Sequence, residues 1–380
     1  MTRVPAAALV WDDRFLSYDL GRWHPFSEGP RKLGADLVAQ WAAAGEVPLA
    51  RPAPLRAATV DELTRFHTPS YVRRVTEAGA AGHGEPLDRG DTPSFPGCDV
   101  AAARIVGGTL AAFSTVLGEG PSRAFQPGGG LHHARPDEAS GFCIYNDVAV
   151  ALSSALGAGT VRRAAYVDID VHHGDGVMYG FYDDGRLLDI DFHQDGQTIF
   201  PGTGEPEEIG RGGGAGLKVN VPLPPGAGDA DFAAVWDRIV PPLLEEHRPN
   251  LIVLQCGVDG HLGDLLGRLR YRAATYERAV RTLMDAADRW ASGRLVVTGG
   301  GGYEAANVAR TLGMVGRRLA GGPAPGHGEV LPDAWRDHFT ERTGSVAPTE
   351  WEPVELPAGP SRIADGLVGE LETALGRKFP

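Results

Sequence analysis

Five ionisable side chains crowd into "VDIDVHHGDG" (167–176): Asp168, Asp170, His172, His173 and Asp175. They follow "AAYV" (164–167), a run apolar enough to be a buried strand. Alternate residues of a strand share a face, so Asp168, Asp170 and His172 point the same way as far as the strand persists. Asp170 and His172 make an Asp-x-His pair suited to clamping a divalent metal. Zinc accepts imidazole nitrogen and carboxylate oxygen, and its catalytic sites combine three protein ligands with water. For a single Asp-x-His, a strand end that opens a loop with solvated carboxylates is the better explanation. The neighbouring His173 and the flanking "GDG" weigh against that blander reading.

A third ligand must come from elsewhere. "LIVLQCGVDGH" (251–261) is another apolar run reaching an acid, Asp259, which alone reads as a turn aspartate. "FQPGGGLHHARPDEASGFCIYND" (125–147) places His132 and His133 after a glycine run, where packing explains a histidine doublet poorly. "VVTGGGGYEAANVAR" (296–310) sets four glycines and Tyr303 between a strand and a helix. A phosphate cradle at that helix start is the rival reading. It lacks the Lys-Ser/Thr of a P-loop and the G-x-G-x-x-G spacing. The glycines would instead let backbone approach a substrate closely and hold Tyr303 at the cavity.

Positioning these groups calls for a scaffold, and the rest of the chain supplies its pattern. Strand candidates at 4–12, 163–170, 186–192, 216–223, 249–257 and 293–302 alternate with helical patterns at 99–117, 145–156, 229–247 and 271–290. That alternation predicts a mainly parallel sheet covered on both faces, with ligands bound beyond the carboxyl ends of its strands. Gly/Pro-rich stretches at 81–97 and 201–216 read as surface loops. With 380 residues and 42% hydrophobic content there is ample core. A net charge of −13 argues against nucleic acid or anionic membrane as a partner. Cys98, Cys143 and Cys256 are too few and too scattered for a disulfide framework. The N-terminus lacks a signal-peptide pattern and no run is long enough to span a membrane. A cytoplasmic location is the default expectation, and the Arg-over-Lys bias with Ala/Gly/Pro richness hints at a bacterial source.

Five motifs, "GGGLHHARPDEASGFCIYND" (128–147), "DIDVHHGDG" (168–176), "FPGTG" (200–204), "LQCGVDGHLGD" (254–264) and "GGGGY" (299–303), closely resemble the zinc-dependent histone deacetylase family. The resemblance is to its class I-like members and the bacterial acetoin-utilisation branch. It runs in family order from "YDLGRWHP" (18–25) to about Arg310. It implies an arginase/deacetylase-like α/β fold with a sheet of about eight strands, a catalytic domain over 1–320, and a C-terminal extension over 321–380 packed on or trailing it. Matched position by position, it implies Asp170, His172 and Asp259 as zinc ligands. His133 matches the general base and Asp175 the carboxylate that orients it. His132 matches the second tandem histidine, with Asp168 as its partner. Tyr303 matches the tyrosine that polarises the scissile carbonyl. Phe142 and Phe200 match the walls of the acyl-lysine tunnel, Gly141 a wall glycine, and Asp91 the rim acid that holds the substrate backbone. Gly301, in the glycine run, is assigned to the substrate side, and His173 to a place behind the ligands.

The resemblance also implies a structural potassium ion, held by backbone carbonyls near Asp168, Asp170 and His172, by Phe192, and by a serine. Here Asp191 stands at the serine position, either as an added oxygen ligand or paired with a nearby base. Arginase-like relatives bind two manganese ions, but Gly174 stands where a bridging acid is needed. The implied reaction is hydrolysis of the acetyl amide of Nε-acetyl-lysine in proteins, with zinc, or iron(II) in its place. A metabolic acyl-CoA synthetase is one candidate protein substrate. Deacetylation of small acetylated amines is the alternative, disfavoured because those relatives tend to carry "EGGY". A non-catalytic acyl-lysine-binding scaffold is a third reading, disfavoured by the intact histidines, acids and Tyr303. Oligomeric state is not legible.

Overall fold

Short apolar runs alternating with helical segments bury best as a parallel sheet between two helical layers, and the fold is built that way. The computed structural model describes residues 7–82, 87, 90–355 and 360–380. The strands are β1 (Ala7–Leu9), β2 (Leu49–Ala50), β3 (Arg123–Gln126), β4 (Ala164–Asp168), β5 (Leu187–Gln194), β6 (Lys218–Leu223), β7 (Leu251–Gln255) and β8 (Leu295–Thr298). They form one sheet in the order β2-β1-β3-β8-β7-β4-β5-β6, parallel at every pairing. The six anticipated strands are present, five with shorter bounds and β5 running two residues further, to Gln194; residues 4–6 of the first candidate lie outside the described residues. Two were not anticipated: β2 has two residues, and β3, "RAFQ", is too short and too polar at its ends to show a hydrophobic pattern.

Strand residues alternate between the two layers, as the pleat requires. Ala165, Val167, Leu188, Ile190, Ile252 and Leu254 pack on one side. Ala164, Tyr166, Leu187, Leu251 and Val253 pack on the other. The first side is covered by α1 (Gly29–Ala43), α7 (Asp229–His247), α8 (Ala273–Trp290) and α9 (Ala305–Leu319). The second carries α4 (Cys98–Leu117) and α5 (Asp147–Gly157), and shorter or peripheral helices are α2 (Val60–Leu63), α3 (Pro69–Ala81), α6 (Asp175–Gly180), α10 (Asp333–Thr343) and α11 (Ala364–Leu375). By length and composition α4 could cross a membrane, yet its apolar stretch is 72% buried within the fold. Residues beyond 320 join the first layer. Trp335 is fully buried and donates its indole N–H to Leu33 O at 2.8 Å. Leu367, Val368 and Leu371 share the core with α7.

The topology selects where a site can form. The chain leaves β3, passes to β4, and winds outward through β5 and β6. It then returns to lay β7 and β8 between β4 and β3. Thus β3, β8, β7 and β4 stand side by side, and the loops leaving their carboxyl ends face one crevice. In register along that edge run Gln126, Thr298, Gln255, Asp168, Asp191 and Asn220, a row of buried polar residues across six strands. Three members of the row reach the loops above it: Gln255 donates to Gly130 O and Asp170, Asp168 accepts Asp170 N–H and meets His132, and Asp191 accepts Gly174 N–H.

Candidate active site

Strand β4 stops at Asp168, so Asp170 and His172 are not aligned by the pleat as the sequence pattern suggested. They sit in a tight turn built by carboxylates. Asp170 N–H donates to Asp168 Oδ1, His172 N–H to Asp170 Oδ1, and Val171 N–H to Asp259 Oδ1, at 3.0, 3.0 and 2.9 Å. The first two bonds make local Asx-type turns, and the third ties the turn to the loop that carries Asp259. Asp259 arrives from the loop after β7.

The result is a cluster in which one donor atom each of Asp170, His172 and Asp259 lies within 4.8 Å of the others. His172 Nδ1 stands 3.1 Å from both Asp170 Oδ1 and Asp259 Oδ2. All three residues are buried. Burial opposes charging His172, yet the two carboxylates push its pKa up to about 10. Burial and the neighbouring Asp170 charge push Asp259 up. Two buried carboxylates and an imidazole facing one point demand a cation, and this is a donor set for a divalent metal with positions left open. Gly301 closes the back of the cluster. Its N–H donates to Asp170 Oδ2 at 2.7 Å, and a Cβ there would fall 1.8 Å from Asp259 Oδ2.

The loop after β3 delivers the histidine pair. Gly130 and Leu131 N–H groups donate to buried Asp147, which anchors the glycine run. His132 Nδ1 lies 2.8 Å from Asp168 Oδ2, and His133 Nδ1 lies 2.8 Å from Asp175 Oδ1. Their Nε2 atoms face each other at 3.0 Å. Burial disfavours charge on His132, but Asp168 and Asp170 outweigh it and raise its pKa to about 10. Burial and the His132 charge drive His133 down to about 4 against the pull of Asp175. Burial would raise Asp175, but His133 and Arg135 hold it at about 2. His133 is therefore a neutral imidazole with its proton on Nδ1 and its lone pair on Nε2.

Around this centre stand the walls. Phe200 packs its ring 5.0 Å from His133 and 6.3 Å from His172. Phe142 meets Tyr303 edge-on at 6.1 Å. Phe142 takes φ 70°, unusual for a residue with a side chain. Its backbone is held on both sides: its N–H donates to Thr92 Oγ1 at 3.0 Å, and its C=O accepts from Tyr18 O–H at 2.6 Å. Gly141 (φ 52°) leaves no room for a Cβ, which would come within 2.4 Å of the His133 ring. Tyr303 is partly buried and its phenol pKa is pushed well above 10 by that burial, so it is a hydrogen-bond donor. At the rim, exposed Asp91 lines a cavity of about 470 Å³ with Arg135, Glu138, Ser140, Phe200 and Pro201.

The remaining anticipated residues fall differently. His173 turns away from the cluster toward Thr203 Oγ1 (2.8 Å) and Met178 Sδ (3.3 Å). Asp191 pairs with His193 Nδ1 at 2.7 Å and accepts Gly174 N–H at 2.7 Å, so both its oxygens have protein partners. The Phe192 side chain lies in the core with Phe232 and Trp236. Glu304 caps α9 by accepting the N–H groups of Ala306 and Asn307, which fills the place an anion would take and rules out a phosphate cradle there. Supporting residues that the motifs did not flag are Gln255, Tyr166, Arg135, Arg31 and Asp264. Gln255 donates to Asp170 Oδ2 at 2.9 Å, and Tyr166 O–H to Asp168 Oδ2 at 2.5 Å. Arg31 is fully buried and holds Gly300 O, while Asp264 accepts Tyr303 N–H at 2.8 Å. Two signals were present: a polar residue closing "LIVLQ", and a tyrosine two positions before Asp168 on the same strand face.

Residues 29–319 match the histone deacetylase domain. The chain belongs to the histone deacetylase family. As a family member it is similar to the acetoin utilization protein AcuC of Bacillus subtilis (strain 168), with 33% identity over 92% of this chain and 91% of that protein. AcuC of Staphylococcus xylosus is 32% identical over 90% of this chain and 89% of its own length. Among solved structures, the HDA15 HD domain superposes with a TM-score of 0.78 at 25% identity, covering 97% of this chain and 96% of that one. These likenesses extend past residue 319 into the C-terminal segment.

Proposed function

We propose that this deacetylase hydrolyses the acetyl amide of Nε-acetyl-lysine in proteins, releasing acetate, with zinc as its metal. The observation that carries the reading is the pairing of a metal-competent Asp170–His172–Asp259 cluster with a neutral, Asp175-oriented His133. A metal held by those three residues would supply Lewis acidity to an amide, which is a poor electrophile. His133 Nε2 is the base that takes a proton from the attacking water and returns it to the leaving amine. Asp175 fixes the tautomer of His133 and supports the imidazolium that forms. Charged His132 adds positive potential beside the developing oxyanion, and Tyr303 O–H donates to it. Phe142 and Phe200 keep water away from a narrow passage suited to the lysine stem.

Asp91 and the open rim favour a peptide backbone over a small amine. The naming of AcuC for acetoin utilisation favours a metabolic protein, such as an acyl-CoA synthetase, and a cytoplasmic setting; the three free, buried cysteines fit a reducing compartment. Iron(II) would suit the same ligands. A potassium ion would rely on backbone carbonyls near Asp168, Asp170 and His172, since Asp191 is engaged with His193 and Gly174. The deciding experiment compares an acetyl-lysine peptide with acetylspermidine and acetylputrescine, with and without chelator. Chelator-sensitive turnover of the peptide is expected. Preference for the amines would transfer the activity to small molecules, and turnover of none would leave an acyl-lysine-binding scaffold.

A further inference from the structure

We propose that Glu352, which lies beyond the segment matched by the family domain, is a positioning residue for the active site. This rests on the metal-dependent deacetylase reading. The loop between β7 and α8 carries two essential parts: Asp259 of the metal cluster, and Asp264, whose carboxylate holds the N–H groups of Tyr303 and Glu304. The loop is largely irregular, with isolated bridges only from His261 to Tyr271 and from Arg270 to Gly228. Irregular backbone must be fixed by side chains if it is to hold a ligand within a few tenths of an ångström.

His261 and Glu352 supply that fixing. His261, two residues after Asp259, is buried and lies over the Tyr276 ring at 6.2 Å. Its Nδ1 meets Leu262 O at 2.9 Å and its Nε2 meets Glu352 Oε2 at 2.6 Å. The other Glu352 oxygen accepts from Arg272 at 3.2 Å, just before α8 begins. One carboxylate thus ties the early part of the loop to its end. From His261 the connection continues: Asp264 N–H donates to His261 O at 3.0 Å, and Asn307 of α9 donates to Leu262 O at 3.3 Å. Glu352 is itself anchored. Trp351 stacks on Trp41 of α1 at 4.9 Å, and Arg310 of α9 donates to Glu350 O at 3.4 Å. Among the described residues of the C-terminal segment, Glu352 is the side chain that meets this loop through His261 and Arg272, while Trp335 and Trp351 pack on α1.

The test uses the full-length, zinc-loaded chain and the variants Glu352→Ala, Glu352→Gln and Trp335→Phe. Trp335→Phe loosens the same segment without touching the loop. Measured are zinc release to a chelator, kcat and KM for an acetyl-lysine peptide, and the urea midpoint. Glu352→Ala should speed zinc release and lower kcat by roughly tenfold each, with KM nearly unchanged. Glu352→Gln keeps an acceptor for His261 and should recover part of both losses. Trp335→Phe should lower the urea midpoint while sparing zinc release and kcat. Wild-type zinc release and kcat in Glu352→Ala would overturn the proposal. So would equal losses in Trp335→Phe, which would make the effect merely structural. If Glu352→Ala does not fold, Glu352→Met, which keeps the side-chain volume but offers His261 no carboxylate, takes its place, and wild-type zinc release and kcat in that chain overturn the proposal. Failure of the wild-type chain to hold zinc or to turn over peptide would instead refute the underlying reading.

Discussion

Replacing Gly301 by alanine tests the metal cluster through sterics alone. The Gly301 backbone lies outside the left-handed region, so alanine meets no conformational penalty there. Its N–H would still donate to Asp170 and its C=O would still accept from Val258. The new methyl, however, would stand 1.8 Å from Asp259 Oδ2, 2.6 Å from its Cγ and 2.9 Å from Asp170 Oδ2. Ordinary contact begins near 3.4 Å, so the Asp259 carboxylate must retreat by roughly 1.6 Å. Metal–ligand distances tolerate about 0.2 Å. Losing the geometry of one ligand should weaken zinc binding at least 10- to 100-fold, about 1.4–3 kcal/mol. Competition with a chromogenic chelator measures that loss. Turnover at limiting and at saturating zinc separates weakened binding from impaired chemistry, and both are expected to fall. Far-UV circular dichroism should remain that of the wild-type chain. A Gly301→Ala protein that holds zinc and turns over like wild type would refute the reasoning, because Asp259 would then be neither fixed nor needed at that place.

Tyr303→Phe should reduce kcat by about 10²–10³-fold with zinc content unchanged, since only the O–H donor is lost; full activity would remove Tyr303 from carbonyl polarisation. A pH effect follows from His67, buried with its ring nitrogens on Arg135 O and Asn146 N–H, and driven by burial to a pKa of about 4. The unfolded chain takes up that proton near pH 6.5. Between about 6.5 and 4 the unfolded state binds more protons, so stability falls with pH by up to roughly 3 kcal/mol and then levels off. Urea midpoints across this window should fall less steeply in His67→Gln, and equal slopes would contradict the assignment. Gly366 lies exposed within α11 (Ala364–Leu375) with open space around its Cα, so Gly366→Ala should stabilise the chain by about 0.5–1 kcal/mol in urea titration. A destabilised Gly366→Ala chain would show that the helix is not formed as described.

The chemistry-bearing residues were legible because their types are costly to bury, and because they cluster at the ends of apolar runs. Asp170, His172, Asp259 and the His132–His133 doublet stand out by that logic, and the structure gathers them. The parallel sheet was legible from alternation, which needs only burial on two faces. What escaped depends on register and topology. Nothing local marks Gln255 as the partner of Asp170; their contact arises because β7 lies beside β4 with Gln255 level with Asp168. Arg31 meets Gly300 across 269 positions, and Asp264 meets the Tyr303 backbone across 39. The contacts of His173 with Thr203 and Met178 likewise depend on the turn that follows Asp168 and on a loop 30 positions away.

The two histidines show how one fold gives chemically identical groups different work. Both are buried, and their Nε2 atoms lie 3.0 Å apart, so charge on one raises the cost of charge on the other. The acids decide which one carries it. His132 has Asp168 at 2.8 Å, and that acid has no other basic side chain among its hydrogen-bond partners. His133 has Asp175 alone, and the guanidinium of Arg135 takes half of that carboxylate at 2.8 Å. The proton therefore settles on His132 and the lone pair is left on His133. Arg135 holds the second Asp175 oxygen and so fixes the carboxylate that orients the His133 ring. A general base must be both aimed and unprotonated; in the role proposed for His133, the aim would come from Asp175 and the lack of a proton from burial and His132.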